Sequence, residues 1–426
     1  MIKGTIEFPG DKSISHRALM VASISSETSQ INNLSNGQDV LSTKKCLEQC
    51  GISINGSKNS YQIRGGNFAD PEKDLDCQNS GTTVRLLTGL LAGKNINARL
   101  IVDESLSKRP MERIVKPLSK MGLQIKSNDG KLPISIKDSR INGIDYKNTM
   151  SSAQVKSAVL LCGLGTTDTT SYYEPIKSRN HTEIMLKNIG VDIEHNNGKI
   201  ILRNSNSLIK GLDITIPGDP STASFFAAAA LILPKSELIL KNILANPTRF
   251  GFFDALNRMG ANIEYLYSWN ESGEEVKNIK IKYGPLNAIK IDHMHIPGII
   301  DEIPILSIVA SQANGKTEIR GAKELRVKES DRIQAIVHNL RNMGVLIEEH
   351  NDGFSIFGPV KLKGSKIKTF NDHRIAMAFS IAGLIADGET VLDNKKCVDV
   401  SFPNFFNMLQ TNINEAICSN RKSNIP

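Results

Sequence analysis

The fold is decided by a short stretch, Met121-Gly122-Leu123, in which a glycine follows a helical pattern and precedes residues of alternating hydrophobicity. A glycine in this position can adopt the left-handed backbone conformation that ends a helix, and the alternation after it indicates a strand. The arrangement recurs in four other places and, without the glycine, in a fifth: Cys50-Gly51-Ile52, Ile189-Gly190-Val191, Met259-Gly260-Ala261, Met343-Gly344-Val345 and Leu409-Gln410-Thr411-Asn412-Ile413. The glycines are spaced by roughly seventy residues, which indicates a repeated unit.

Each of these six units also contains a helix-start signal, roughly forty residues before its helix end. The starts are Asp11-Lys12-Ser13, Asn79-Ser80-Gly81, Ser151-Ser152-Ala153-Gln154, Asp219-Pro220-Ser221, Asp301-Glu302 and Asn371-Asp372-His373-Arg374. Side chains of this kind accept hydrogen bonds from the first N–H groups of a helix, so each start is a predicted N-cap. The two sets of signals together predict an α/β protein of six units.

The helix starts are also candidate anion sites. A helix N-terminus presents unpaired N–H groups and a partial positive charge, which suit a phosphate or a carboxylate. Capping alone explains any single start, but it does not explain the cationic and amide side chains that recur just inside them: Lys12, Arg17, Arg85, Gln154 and Arg374. If the six starts converge in space, they form an anion pocket.

Composition favours a two-domain protein with anionic partners. The chain has 426 residues, more than one hydrophobic core usually supports. Its 52 Lys and Arg exceed its 44 Asp and Glu, for a formal net charge of +8. The basic residues are dispersed, and neither a nucleic-acid-binding motif nor an aromatic stacking cluster accompanies them. A small phosphorylated ligand is therefore expected, and not a nucleic acid.

Cofactor, membrane and disulfide signals are missing from the sequence. The six cysteines show no CxxC spacing, and we expect all of them to be reduced and structural. No GxGxxG, HExxH or EF-hand pattern occurs, so the sequence gives no sign of a dinucleotide, zinc or calcium site. The N-terminus has no signal-peptide pattern, and the longest apolar runs fall short of the roughly 20 residues that span a bilayer. We expect a soluble, cytoplasmic protein that makes no membrane contact.

A second repetition predicts the domain boundaries. Phe8-Pro9-Gly10-Asp11 recurs as Ile216-Pro217-Gly218-Asp219, each time between a strand pattern and a helix start. A Pro-Gly pair suits a crossing segment better than the interior of an element. We therefore expect one domain at 12–216 and a second formed by 1–11 plus 217–426, with three units in each and a hinge at the two crossovers.

Seven short clusters of polar residues carry a family resemblance. They are Asp11-Lys-Ser-Ile-Ser-His-Arg17, Asn79-Ser-Gly-Thr-Thr-Val-Arg85, Ser107-Lys-Arg-Pro-Met111, Ser152-Ala-Gln154, Ile300-Asp-Glu-Ile-Pro304, Leu325-Arg-Val-Lys-Glu-Ser-Asp-Arg332 and Asn371-Asp-His-Arg374. In this order they resemble the signature segments of the 5-enolpyruvylshikimate-3-phosphate synthase (EPSP synthase) family. The resemblance implies the two-domain enolpyruvyl transferase fold, with six βαβαββ units, three per domain.

The resemblance also implies a reaction and its site residues. The reaction transfers the enolpyruvyl group of phosphoenolpyruvate to the 5-hydroxyl of shikimate 3-phosphate and releases phosphate, without a cofactor. The implied shikimate 3-phosphate residues are Lys12, Ser13, Arg17, Ser152, Ala153, Gln154, Ser178, Asp301 and Lys328. The implied phosphoenolpyruvate residues are Lys12, Gly81, Arg109, Gln154, Arg332 and Arg374. Asp301 is the expected base and Glu329 the expected proton donor, with Lys12 and Lys328 assisting, although the division of labour among these groups stays open.

Departures from the family pattern leave some questions open. Val400 precedes Ser401-Phe402-Pro403, where some members have a lysine that helps to bind phosphoenolpyruvate. Ala153 and His181 replace a serine and a tyrosine of one branch, and the chain is closer to the branch with glyphosate-tolerant members. Gly81 nevertheless leaves room for this inhibitor, so sensitivity is expected.

Two alternative functions remain at this point. The related transferase that acts on UDP-N-acetylglucosamine shares the fold, but it usually has a cysteine general acid near the region of Ser107 to Met111, and this chain has no cysteine between Cys77 and Cys162. A non-catalytic anion-binding or RNA-binding protein of the same fold would not need Asp301 or Glu329. We expect a monomer, and a frayed polar end from Ser419 to Pro426.

Overall fold

A computed structural model describes residues 1–57, 59–203 and 209–422, and of residues 414–422 it describes only the backbone. The chain divides into two units. Unit 1 contains Met1–Pro9, Pro217–Trp269 and Glu275–Pro426, and unit 2 contains Gly10–Ile216 and Asn270–Glu274. The domain limits and the hinge expected from the sequence remain proposals.

Helices and strands are interspersed along the whole described chain. The helices are α1 Lys12–Ile24, α2 Gln38–Gln49, α3 Gly81–Gly93, α4 Glu104–Ser107, α5 Glu112–Lys120, α6 Ala153–Gly163, α7 His181–Asn188, α8 Pro220–Ile232, α9 Gly251–Arg258, α10 Ile296–Ile299, α11 Ile303–Ala310, α12 Arg332–Asn342, α13 His373–Gly383 and α14 Phe405–Lys422, with 3₁₀ helices at Lys323–Val327 and Lys396–Val400. The strands are β1 Lys3–Glu7, β2 Thr28–Asn32, β3 Ser53–Ser57, β4 Ser60–Arg64, β5 Leu75–Asp76, β6 Ala98–Ile101, β7 Gln124–Asn128, β8 Lys131–Lys137, β9 Asp145–Lys147, β10 Thr170–Tyr173, β11 Asp192–Asn196, β12 Lys199–Arg203, β13 Asp213–Thr215, β14 Glu237–Leu244, β15 Asn262–Glu271, β16 Glu274–Lys282, β17 Lys290–Ile291, β18 Gly315–Ile319, β19 Leu346–His350, β20 Gly353–Gly358, β21 Lys366–Ile367 and β22 Val391–Leu392.

The strands form six small sheets, one for each predicted repeat. Unit 2 has the sheets β13-β2-β4-β3, β5-β6-β8-β7 and β9-β10-β12-β11, and the strands of unit 1 form β1-β14-β16-β15, β17-β18-β20-β19 and the two-stranded β21-β22. In each four-stranded sheet the first two strands are parallel and the third is antiparallel to the second. This is the strand arrangement of a βαβαββ unit, and the prediction of an α/β fold is confirmed. Among the described residues five sheets show the complete unit, whereas the sixth, β21-β22, has only two strands, so the prediction of six complete units is wrong for the last one.

Side-chain caps begin five of the six start helices. The capping residues Asp11, Ser80, Ser152, Asp219 and Asp372 each accept a hydrogen bond from a backbone N–H of the first helical turn. The sixth start differs, because Glu302 occupies the N-cap position of α11 but makes no capping hydrogen bond. The prediction of a side-chain cap is therefore wrong at Glu302, whose carboxylate binds elsewhere in unit 1.

The predicted helix ends are correct at the five glycines. Gly51, Gly122, Gly190, Gly260 and Gly344 have φ angles of +89°, +99°, +91°, +76° and +88°. The sixth predicted end, Leu409 to Ile413, is wrong, since α14 continues to Lys422. This segment has no glycine to leave the helical conformation, so nothing in it stops the helix. The backbone of the predicted frayed end is helical up to Lys422, and its last residues, 423–426, lie outside the described part.

The three start helices of each unit pack against one another. In unit 2, α3 contacts both α1 and α6, and in unit 1, α8, α11 and α13 contact each other. Gly89 and Gly93 explain the close approach of α3 to α6, because a Cβ on Gly89 would lie 2.2 Å from the backbone oxygen of Ala158. The helix starts therefore converge in two groups of three. Convergence of all six remains a prediction.

The described cysteines are buried thiols. Cys46, Cys50, Cys77, Cys162 and Cys397 are free, and the side chain of Cys418 lies outside the described part of the chain. Burial raises the pKa of the Cys162 thiol to about 12, so this residue is a poor nucleophile at neutral pH. Among the described residues, no helix combines the length and the apolar character that crossing a membrane requires.

Candidate functional site

Arg17 on α1 connects three helices of unit 2. Its Nε donates to Oγ1 of Thr182 on α7 at 2.8 Å, and its Nη2 donates to Oγ of Ser157 on α6 at 2.9 Å. Nη2 also lies 3.5 Å from the backbone oxygen of Ala153, and Nη1 donates to the backbone oxygen of Ser13 at 2.9 Å. Arg17 is only 2% exposed. Its guanidinium is therefore fixed beside the first residue of α6.

The N-termini of α3 and α6 lie together and share Gln154. Its Nε2 donates to Oγ1 of Thr82 at 3.0 Å, and its Oε1 accepts from Nη1 of Arg85 at 3.0 Å. A Cβ on Gly81 would lie 2.6 Å from Nη1 of Arg85 and 3.6 Å from Nη1 of Arg109. A side chain at Gly81 would therefore displace a guanidinium, and the glycine keeps two cations beside the start of α3.

Two more cations lie near the start of α1. Lys12 Nζ is 3.0 Å from Oδ2 of Asp39 on α2, and both side chains are only partly exposed. Arg179 Nη1 donates to Oγ of Ser13 at 3.0 Å. Arg179 was missed by the sequence analysis, although it directly follows the predicted ligand Ser178. The start of α1 therefore has Lys12, Arg17 and Arg179 around it, a set of cations that suits a doubly charged phosphate.

The predicted phosphate residues Ser152 and Ser178 use their hydroxyl groups differently. Ser152 Oγ accepts from the N–H of Val155 at 3.4 Å, which leaves its hydroxyl hydrogen available for a ligand. Ser178 Oγ donates to Oε2 of Glu174 at 2.6 Å, and the N–H of Ser178 donates to Oε1 of the same carboxylate at 2.9 Å. Its backbone oxygen accepts from Lys156 Nζ at 3.2 Å. Ser178 is thus bound on three sides by two buried charged residues.

His16 is a buried, uncharged histidine between the cations of α1. Its Nδ1 lies 2.7 Å from Oγ1 of Thr43, and the residue is 0% exposed. Burial, together with the charges of Lys12 and Arg17, holds the pKa of His16 well below its usual value, against a smaller opposite effect of Asp11. With its pKa lowered in this way, His16 is a poor proton acceptor at neutral pH.

His16 should therefore make the folded state sensitive to mild acid. The unfolded chain binds a proton near the usual histidine pKa of about 6.5, whereas the folded chain does not, so stability falls as the pH drops below that value. This one group contributes a loss of up to about 1.4 kcal/mol per pH unit. Urea unfolding at pH 7.5 and 5.5 should show a smaller loss for His16→Asn than for the wild type. Exposed His338, changed to Asn, serves as the control, and equal losses in all three proteins would contradict the assignment.

In unit 1, three cations surround the carboxylate of Asp301. Arg332 Nη1 is 3.5 Å from Oδ1, Lys328 Nζ is 3.8 Å from Oδ1, and Arg374 Nη2 is 4.0 Å from Oδ2. Arg374 also donates from Nη1 to the backbone oxygen of Asp301 at 2.9 Å. Burial lowers the pKa of Lys328, and the attraction of Asp301 offsets only part of this effect. The group combines a central carboxylate with cations that suit an anionic substrate.

Arg332 is the buried centre of a second set of contacts. Its Nε donates to Oδ2 of Asp372 at 2.8 Å, and its Nη2 donates to Oε2 of Glu329 at 2.6 Å. Burial alone would lower the pKa of Arg332, but the carboxylates of Asp372, Glu329 and Asp301 outweigh it and raise this pKa. Asp372 also receives the N–H of Arg374 at 2.9 Å, as the cap of α13. It therefore fixes both arginines.

Glu302, which does not cap its helix, joins the same region of unit 1. Its carboxylate accepts a hydrogen bond from the hydroxyl of Ser221. Oε1 lies 3.6 Å from Nη1 of Arg374 and 3.6 Å from Nη1 of Arg249. Burial raises the pKa of Glu302, and the charges of Arg249 and Arg374 offset part of the shift. Arg374 thus contacts Glu302 as well as Asp301, and the Glu302 carboxylate helps to hold the Arg374 guanidinium near Asp301.

The predicted site residues fall into two groups. Unit 2 contains Lys12, Ser13, Arg17, Gly81, Arg109, Ser152, Ala153, Gln154 and Ser178, and unit 1 contains Asp301, Lys328, Glu329, Arg332 and Arg374. Direct contacts join all five predicted residues of unit 1. In unit 2, contacts join Arg17 to Ala153 and connect Gly81 with Gln154 through Arg85, whereas Ser178 binds Glu174 and Lys156. Within the described ranges, no group of three or more His, Cys, Asp or Glu could hold a metal ion.

The chain as a whole matches one known family. The family described as EPSP synthase (3-phosphoshikimate 1-carboxyvinyltransferase) matches residues 1–409. The chain belongs to the EPSP synthase family. Two relatives, both named 3-phosphoshikimate 1-carboxyvinyltransferase, support this: one from Persephonella marina, 45% identical over 417 residues and 96% of each chain, and one from Bacillus cytotoxicus, 44% identical over 413 residues, 96% of this chain and 97% of the relative.

Solved structures agree with the family assignment. The EPSP synthase of Acinetobacter baumannii has a TM-score of 0.85 and 39% identity, covering 95% of this chain and 94% of that chain. The enolpyruvyl transferase NikO from Streptomyces tendae, at 18% identity and a TM-score of 0.74, covers 95% of this chain and 94% of its own and shows the shared fold alone. The predicted family and the predicted enolpyruvyl transferase fold are therefore confirmed. As a member of the EPSP synthase family, the chain is an enzyme and a transferase.

Proposed function

We propose that the chain transfers the enolpyruvyl group of phosphoenolpyruvate to the 5-hydroxyl of shikimate 3-phosphate, as a step of aromatic amino acid biosynthesis. The observation that carries this proposal is the family match over residues 1–409. The carboxylate of Asp301 among three cations in unit 1, and the cations around the start of α1 in unit 2, suit two phosphorylated substrates. Neither alternative function is favoured by the matches.

The shikimate 3-phosphate residues in this proposal are those expected from the sequence, with Arg179 added. Lys12, Ser13, Arg17 and Arg179 present cations and a hydroxyl at the start of α1. Helix α6 adds its N-terminus, the Ser152 hydroxyl and Gln154, a combination that binds anions without a metal. The remaining proposed contacts are Ala153, Ser178, Asp301 and Lys328.

Phosphoenolpyruvate is proposed to bind through arginines. Arg109, Arg332 and Arg374 can each meet a carboxylate or a phosphate with two parallel hydrogen bonds. Lys12 and Gln154 are the other polar contacts. Gly81 has no side chain, and this keeps the space beside Arg85 and Arg109 open.

The chemistry needs one base and one acid. In the proposal Asp301 takes the proton of the 5-hydroxyl, whose oxygen bonds to C2 of phosphoenolpyruvate while Glu329 protonates the methylene carbon. The resulting tetrahedral intermediate then loses phosphate, and the new methyl group returns a proton to restore the double bond. Lys12 and Lys328 assist by balancing charge, and the process consumes no cofactor.

Phosphate release tests the proposal directly. Purified protein with phosphoenolpyruvate and shikimate 3-phosphate, in the presence of EDTA, should release phosphate continuously. Either substrate alone, or phosphoenolpyruvate with UDP-N-acetylglucosamine, should give none. Release with the UDP-sugar only would transfer the assignment to the related enzyme, and no release from folded protein would favour a binding function.

Three further proposals accompany this function. We propose that the protein is cytoplasmic, because its proposed substrates are phosphorylated metabolites. We also propose that it is a monomer, which light scattering with size-exclusion chromatography can test. Sensitivity to glyphosate, expected from Gly81, also stays a prediction. An inhibition constant far above the Michaelis constant for phosphoenolpyruvate would contradict it.

A further inference from the structure

The loop from Glu174 to Asn180 carries two residues of the proposed shikimate 3-phosphate site, Ser178 and Arg179. This loop joins β10 to α7 and has no regular structure of its own. It is attached at Ile176, whose N–H donates to Oγ of Ser151 at 3.0 Å. Its second attachment is at Ser178. The position of Arg179, which reaches Oγ of Ser13 at 3.0 Å, depends on these attachments.

The attachment at Ser178 is a buried cluster of three charged residues. Lys156 Nζ lies 2.9 Å from Oε1 of Glu174 and 2.8 Å from Oε1 of Glu183. The Lys156 side chain is 0% exposed, and the two glutamates are 4% and 3% exposed. Lys156 extends from α6, Glu183 from the first turn of α7, and Glu174 from the start of the loop.

The two glutamates of this cluster differ in their contact with Ser178. Glu174 binds Ser178 through both carboxylate oxygens, at the N–H and at the hydroxyl, and Lys156 binds the backbone oxygen of Ser178. Glu183 shares the same lysine and the same burial, but no contact joins it to Ser178. Burying three charges contributes little to stability by itself, since desolvation offsets the attraction. A contribution to folding stability therefore does not explain why a carboxylate is buried at Glu174, whereas a role in fixing the loop does.

We propose that Glu174, itself held by Lys156, is a positioning residue that fixes Ser178 and Arg179 for the phosphate of shikimate 3-phosphate. The inference rests on the function proposed above. Glu174 holds the amide of Ser178 in place, while rotation about the Cβ–Oγ bond can turn the hydroxyl hydrogen from Glu174 toward a ligand. Without Glu174 the amide and the hydroxyl of Ser178 lose their partner, and of these contacts at Ser178 only the one from Lys156 to its backbone oxygen remains.

The cluster provides its own matched control. Glu174→Ala and Glu183→Ala each remove one buried carboxylate, and each leaves one lysine paired with one glutamate. The two variants therefore make the same change of charge in the cluster, and of the two only Glu174→Ala removes the contacts with the amide and the hydroxyl of Ser178. A purely electrostatic or structural role would affect shikimate 3-phosphate binding equally in both.

The experiment is calorimetric titration of shikimate 3-phosphate into the whole wild-type protein and the two variants, with thermal unfolding recorded for each. Glu174→Ala should raise the Kd at least about tenfold, equivalent to a loss of about 1.4 kcal/mol, and Glu183→Ala should stay within about threefold of the wild type. Glu174→Asp keeps the charge but shortens the side chain by one methylene. It should lose one of the two hydrogen bonds to Ser178 and so raise the Kd at least about fivefold. This variant tests the proposal if Glu174→Ala does not fold.

The outcomes separate the two proposals. No binding of shikimate 3-phosphate by folded wild-type protein would overturn the proposed function, and with it the role of Glu174. Wild-type binding with an unchanged Kd in a folded Glu174 variant would overturn the positioning role alone. An equal loss of affinity in Glu183→Ala would also overturn it, because charge and not the contact with Ser178 would then be responsible.

Discussion

Replacing Asp301 by asparagine should lower kcat for enolpyruvyl transfer by about 10²–10⁴-fold, the usual contribution of a positioned general base. The amide has the same shape as the carboxylate but cannot accept a proton at neutral pH. The loss should therefore appear mainly in kcat. Initial rates of phosphate release, with each substrate varied in turn, measure it.

The geometry around Asp301 explains why Asp301→Asn has so large an expected effect on kcat. Lys328, Arg332 and Arg374 all lie within 4.0 Å of its carboxylate oxygens. In the variant these three cations lose their common counter-charge and repel one another. The backbone contact from Arg374 to the carbonyl oxygen of Asp301 at 2.9 Å does not depend on the side chain, so the fold should be retained.

A matched control lies nine residues earlier. Asp292 is on the surface, and its carboxylate binds its neighbour His295 at 2.8 Å and the N–H of Met294 at 3.0 Å. Asp292→Asn should leave kcat within about twofold of the wild type, as expected for a surface substitution. Retention by Asp301→Asn of more than a tenth of the wild-type kcat would exclude Asp301 as the base. Glu329 would then be the next residue to test.

The sequence predicted the local signals of the fold well, because each rests on a backbone rule. A glycine that leaves the helical conformation, or an aspartate that caps a helix, acts within a few residues of itself. Glu302 shows the limit of such rules. It occupies a capping position, yet its carboxylate binds Ser221, which lies 81 residues away in the chain. Tertiary contacts with Arg249 and Arg374 decide its conformation.

The site residues found only in the structure share this dependence on distant partners. Asp39 binds Lys12 across 27 residues, and Arg179 binds Ser13 across 166 residues. Lys156 lies in an apolar helix, where a lysine would ordinarily be expected on the exposed face. Only the folded chain shows that Glu174 and Glu183 surround it. Asp372 was correctly predicted as a cap, but its second contact, with Arg332, lies 40 residues away.

Arg332 should show the largest combined effect on stability and activity. Its side chain is 1% exposed and contacts Asp372, Glu329 and Asp301. Arg332→Met keeps much of the volume but leaves three carboxylates without this cation. Removing one partner of a buried ion pair typically lowers the free energy of unfolding by about 3–5 kcal/mol. We expect a loss of this size at pH 7 in urea unfolding, and no measurable phosphate release.

The pH dependence of that loss distinguishes lost charge balance from lost packing. Desolvation opposes ionisation of Asp372, but the Arg332 charge, the hydrogen bond from Arg332 and the nearby His373 together outweigh it and lower the pKa of Asp372. This carboxylate therefore stabilises the wild type above its usual pKa and ceases to do so as the pH falls through its lowered value. In Arg332→Met the carboxyl groups protonate more readily, so the difference from the wild type should shrink between pH 7 and pH 4.5. Arg320, an exposed arginine that binds Asp352 at 2.9 Å and lies 3.7 Å from Glu318, is the control, and Arg320→Met should lower stability by less than about 1 kcal/mol. A deficit of Arg332→Met that is the same at both pH values would mean that Arg332 contributes through packing, and its assignment as the buried counter-charge of three carboxylates would be wrong.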